Sequence, residues 1–78
     1  MLTEGIVKSD SNSGIRYIIY NGEDSELFIH FERKDGRTDI YKYFDVEIVA
    51  FINFMLADSH GRYFHRVIRN SYTTELLK

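Results

Sequence analysis

The chain has no cysteine, no proline and no tryptophan, and only three histidines among its 78 residues. Without cysteine no disulfide can close it, and a reducing cytoplasm is the expected location. His30, His60 and His65 supply too few ligands for a structural zinc site, so no metal and no cofactor is expected. Positive charge is also short: Lys and Arg number 10 against 12 Asp and Glu, a formal net charge of −2. That balance argues against generic binding to nucleic acid or acidic membranes. Long hydrophobic runs are missing too. The start, MLTEGIVKSDSNSG, lacks the apolar stretch of a secretory signal. The most apolar run, VEIVAFINFMLA at 46–57, is broken by Glu47 and Asn53 and falls far short of the ~20 residues of a membrane span. No membrane partner is expected.

What is present is ordinary globular material, 44% apolar and 15% aromatic. The length allows one small domain and no second. A domain of this size buries only a little over ~60% of the surface its unfolded chain exposes. With neither disulfide nor metal, good packing or self-association has to supply the remaining stability. Charge is distributed unevenly. Residues 1–59 carry six Lys/Arg and eleven Asp/Glu, whereas residues 60–78 carry Arg62, Arg66, Arg69 and Lys78 against Glu75 alone. A basic tail follows an acidic body, and the two could simply attract each other.

Residues 1–13 are polar and Ser-rich and read as a flexible lead-in, leaving 14–78 as the domain. GIRYIIYN is a β-branched and aromatic strand that stops at the turn dipeptide Asn21-Gly22. ELFIHFER alternates cleanly, with Leu27, Ile29 and Phe31 on one side and Phe28, His30 and Glu32 on the other. Asp35-Gly36 marks a hairpin turn into TDIYKYF. Three strands with short turns predict an antiparallel β-meander. At Asp45, a favoured helix N-cap, the period changes. Val46 to Ala57 then reads as a helix with almost no polar face, which a domain this small cannot bury all round. Ser59 could cap a second helix and Gly61 could close the first in the left-handed region. In GRYFHRVIRNSY, Tyr63/Phe64, Val67/Ile68 and Tyr72 share one side and Arg62, Arg66 and Arg69 the other. The expected class is α+β, a three-stranded meander followed by two α-helices on one face.

Tyr41 and Tyr43 flank Lys42 and share a strand face. If Lys42 seeks water, both tyrosines point at the helices, together with Leu27, Ile29, Phe31 and, on the first strand, Ile15, Tyr17 and Ile19. Each phenol then needs a partner, a backbone group or Ser59. The alternative is an open aromatic platform on which unpaired bases stack. The opposite sheet face would carry Arg16, Ile18, Tyr20, Phe28, His30, Glu32, Ile40, Lys42 and Phe44, an apolar patch of the kind that marks an interface.

YKYFDV, the apolar helix and ADSHGRYFHRVIRNSY, in this order, resemble the KTSC domain over about residues 11–72. That domain is named for the C-terminus of some lysyl-tRNA synthetases and also occurs as stand-alone proteins of bacteria and their phages. The most specific parts are Tyr41-x-Tyr43 and Ala57-x-Ser59-x-Gly61-Arg62-Tyr63-Phe64, followed by Ile68-Arg69 and Tyr72. Three departures stand out: Val46-Glu47 replaces the family's Val-Pro, the hairpin before Tyr41 is longer, and His65 takes a position that usually holds Asn. The resemblance implies an RNA-binding role, with RNA or tRNA as partner.

Two functional readings follow. A nucleic-acid surface would use Arg62, His65, Arg66 and Arg69 on phosphates with Tyr63 and Tyr72 stacking; its bland counterpart is a solvated helix face paired to the acidic body. A protein-interaction surface would use Ile18, Tyr20, Phe28, Ile40 and Phe44 on the outer sheet face or Phe54 on the first helix. Its partner would be a second copy or, for a phage-encoded chain, a host protein that it inhibits by docking. No enzyme is expected. Asp58, Ser59, His60 and His65 lie close in sequence but come without a nucleophile elbow or oxyanion glycines. His60 and His65 lack the i, i+4 spacing of a helical metal pair.

Overall fold

The computed structural model describes the backbone of residues 4–8 and the whole of residues 14–78. The elements are β1 (Glu4–Lys8), β2 (Ile15–Asn21), β3 (Glu26–Glu32), β4 (Thr38–Tyr43), α1 (Ile48–Leu56), α2 (His60–Tyr63) running directly into a π-helical turn (Phe64–Ile68), and β5 (Thr74–Leu76). All five strands form one antiparallel sheet in the order β1-β2-β3-β4-β5. The expected class holds, and the expected three strands become five. The additions are short edge strands with no alternation to announce them. β1 falls within the expected lead-in, of which residues 1–3 and 9–13 lie outside the described residues.

The helices cover one sheet face. Val46, Phe54, Phe64 and Ile68 meet Ile15, Ile18, Tyr20, Leu27, Ile29 and Tyr43 in a single core. Tyr43 is buried as expected, and Tyr41 packs half-buried against the same core. On β2 the face is not the expected one. Ile18 and Tyr20, placed on the outer face by alternation, are 0% and 2% exposed, whereas Tyr17 is 39% exposed. The reason is a β-bulge: Ile15 pairs with Phe31 and Tyr17 already with His30, so two residues of β2 span one of β3. An extra residue inverts the parity of everything after it. Ile15 therefore stays inside, and the core set continues with Ile18 opposite Ile29 and Tyr20 opposite Leu27. The Tyr20 hydroxyl donates to the Val46 carbonyl at 2.7 Å, tying the sheet to the segment that leads into α1, and its ring stacks on Phe51 at 4.7 Å.

α1 starts later than expected. Asp45 is not its cap; it sits at φ 57° in the left-handed region, which Asp tolerates better than most residues. The following Val46 N–H donates to the Ser25 carbonyl, so the chain is pinned to the β2–β3 turn before the helix begins. Glu47 caps α1 with φ −68° and ψ 151° and makes no side-chain cap hydrogen bond. That φ is the one a pyrrolidine ring imposes. Glu47→Pro is expected to stabilise the domain by about 0.4–1 kcal/mol by restricting the unfolded chain. Thermal melting checks this, and a lowered midpoint would mean that the Glu47 N–H or the Val46 backbone cannot accept the ring.

Ser59 caps α2 as expected, accepting from the Arg62 N–H at 3.2 Å. Gly61 does not terminate α1; it lies buried inside α2. The π-helical turn is closed by the Arg69 N–H donating to the Phe64 carbonyl at 2.9 Å. Phe64 and Ile68 both point inward from it. Among the described residues no helix is long and apolar enough to cross a membrane.

Candidate interaction site

The outer sheet face is not the open apolar patch that the sequence suggests. Lys42 lies across it. Its ammonium is 2.7 Å from the Glu26 carboxylate, 4.8 Å from the Phe44 ring centroid and 6.0 Å from that of Phe28. The aliphatic stem of a lysine covers apolar surface while its head stays paired. Glu26 accordingly raises the Lys42 ammonium above the usual lysine range. Phe28, Ile40 and Phe44 are each half-buried. His30 packs edge-on to Tyr17 on the same face, and desolvation lowers its imidazole below the usual histidine value. Ile18 and Tyr20 are withdrawn from the face by the bulge, which removes two of its expected contact residues.

Phe54 is also no contact residue. It is 0% exposed, stacked on Tyr63 at 5.6 Å and edge-on to His60 at 5.6 Å. Because α1 is apolar all round, its sequence does not reveal which side packs. The structure turns Phe54 inward, with Ala50, Phe51 and Met55 partly buried beside it. Ile48, Val49, Ile52 and Leu56 are left outward, 44%, 59%, 46% and 77% exposed. These positions follow i, i+1, i+4 and i+8, a single stripe on a helix that contains no charged residue. The sequence signal was there, in the absence of a polar face, but not the choice of residues.

The cationic residues of the C-terminal helix divide into two groups. Arg62 and Arg66 line a recess of about 340 Å³ with Asp58, Ser59, Tyr63 and Val67. His65 and Arg69 line a separate groove of about 520 Å³ with Phe31, Asp39, Tyr41, Tyr43 and Thr74. The expected single cationic face is therefore split. The two aromatics expected to stack on bases, Tyr63 and Tyr72, are half-buried against the core. Among the described residues the ion pairs join Arg16 to Glu32, Arg33 to Asp39, Arg37 to Asp35 and Lys42 to Glu26. Arg62, Arg66 and Arg69 take part in none of these four pairs among the described residues. Tyr41, assigned to the core, also lines a groove together with Arg69, as Tyr63 does with Arg62 and Arg66. Burial raises the Tyr43 phenol above the usual tyrosine range, against a smaller opposing effect of the neighbouring Thr74. Asp58, Ser59, His60 and His65 do not converge. Ser59 caps α2, His60 packs on Phe54, and His65 packs on Phe64. No group of three or more His, Cys, Asp or Glu is placed to hold a metal among the described residues.

These features define a small α+β domain in which an antiparallel sheet carries its helices on one face and presents an apolar helix stripe to solvent. The chain belongs to the KTSC domain family, whose sequence profile matches residues 11–72. It is similar over its whole length to the crystal structure of a KTSC domain protein from Yersinia pestis, with 32% identity, a TM-score of 0.75 and 100% of both chains covered. No curated protein matches it significantly.

Proposed function

We propose that the protein is a non-catalytic docking module whose contact element is the outward stripe of α1. The observation that carries this reading is the exposure of Ile48, Val49, Ile52 and Leu56, 44–77% each, on one uncharged helix. Water-facing aliphatics set singly on a surface are ordinary, whereas four in a row along one helix form a contiguous patch. Such a stripe is the surface that helix-in-groove and helix-on-helix recognition use. The outer sheet face is the weaker alternative because Lys42 already covers its aromatics.

The test is capture of partners from cell extract by the tethered chain, comparing wild type with Leu56→Asp. Leu56 is 77% exposed, so the variant keeps the core intact. Retention of specific proteins is expected to fall about tenfold or more, the effect of placing a charge in an apolar contact worth at least ~1.4 kcal/mol. Capture of the same proteins in equal amount by both chains would sink the reading. A nucleic-acid role is supported by one observation, the absence of Arg62, Arg66 and Arg69 from the ion pairs of the described residues. Capture that is abolished by nuclease and by Arg66→Glu, but not by Leu56→Asp, would favour that role, since phosphate contacts rest on the cations.

A further inference from the structure

The stripe on α1 is bounded by charges of opposite sign. Asp45 and Glu47, both exposed, precede its N-terminal end. Arg62 and Arg66 lie beside its C-terminal end, in the recess that they share with Ala57 and Asp58. The stripe itself, from Ile48 to Leu56, contains no charge. A surface of this kind is complementary to itself when one copy is turned end over end. Acidic start then meets basic end at both extremities, the two helix dipoles oppose, and aliphatic meets aliphatic between them. The parallel arrangement sets acid against acid and arginine against arginine.

We infer that the partner of α1 is a second copy of this chain, the two α1 helices packing antiparallel across a two-fold axis at Ile52. This rests on the docking role proposed for the stripe. Ile52 is the midpoint of the exposed positions, so Ile48 of one copy lies against Leu56 of the other. Four aliphatic side chains fill only part of the ~800 Å² that a standard interface takes from each partner. The dimer is therefore reversible and populated by rising concentration. It covers the apolar stripe, and thereby meets the need of a small domain for further apolar burial.

Single-cysteine variants of the full chain test the geometry, because the natural sequence contains no cysteine to interfere. At the axis residue 52 faces itself, so Ile52→Cys is expected to oxidise to a disulfide-linked dimer. Two copies of residue 48 are separated along the helix by eight residues' rise, about 12 Å, beyond the ~7 Å limit for Cα atoms joined by a disulfide. Ile48→Cys should therefore stay monomeric on denaturing gels, as should Lys34→Cys in the exposed β3–β4 turn. Sedimentation equilibrium of the natural chain should show a monomer–dimer equilibrium that Leu56→Asp shifts about tenfold or more toward monomer. Equal cross-linking of Ile48→Cys and Ile52→Cys would overturn the antiparallel pairing. A natural chain that stays monomeric at every concentration would overturn the dimer. In that case an apolar-surface dye separates the two ideas. Dye bound by the monomer and lost in Leu56→Asp leaves docking on a different protein standing, and no dye binding removes both.

Discussion

Ile18→Lys is expected to abolish folding, while Ile19→Lys, one position on, leaves the domain folded. Ile18 is 0% exposed and faces the core opposite Ile29. An ammonium forced there has no carboxylate beside it and costs several kcal/mol. The whole stability of a domain this size is roughly 4–12 kcal/mol, at ~0.05–0.15 per residue. Ile19 is half-buried on the uncovered face opposite Phe28. A lysine there can run its stem along that ring and keep its head in water, as Lys42 does, at a cost on the order of 1 kcal/mol. Far-UV circular dichroism with thermal melting separates the two. Uninterrupted alternation from Ile15 demands the opposite ranking, so a folded Ile18→Lys variant would rule out the bulge.

Phe54→Ala is expected to cost about 3–5 kcal/mol, a large share of the roughly 4–12 kcal/mol that holds a domain of this size, and to lower the melting temperature accordingly. Its ring is 0% exposed and holds α1 to α2 by stacking on Tyr63 and meeting the edge of His60. Removing it leaves a cavity between the two helices, and Tyr63 loses the surface that half-buries it. Leu56→Ala, two residues along the same helix, should change the melting temperature of the dilute monomer little, because Leu56 is 77% exposed in the single chain. The contrast reads the orientation of α1 directly. If Phe54→Ala cost less than ~1 kcal/mol, the helix would be rotated from the position described and the stripe proposed for docking would not be outward.

The two pairs of substitutions probe the elements where sequence reasoning and structure part company. β3 and β4 were legible because their two faces differ in chemistry: Leu27 and Ile29 against His30 and Glu32, Tyr41 and Tyr43 against Lys42. The Ser59 cap was legible because the hydroxyl and the backbone donor it accepts are three residues apart. β2 was not, since IRYIIY places large apolar residues on both parities and a one-residue bulge is invisible in such a run. The split of Arg62 and Arg66 from His65 and Arg69 was likewise hidden. A helix of regular spacing groups them, but their grooves are set by which neighbouring strand or turn each side of the helix meets.

From its residues alone this chain specified an α+β meander with helices on one face, a buried Tyr43, a capped second helix and membership of the KTSC family. Those rest on local patterns: strand alternation, turn dipeptides, a cap and a motif. Tertiary packing alone decided the parity of β2, the pairing of the two edge strands and which side of α1 meets water. Each is a choice between faces of similar hydrophobicity, and only the register and volume of the opposing element distinguish them.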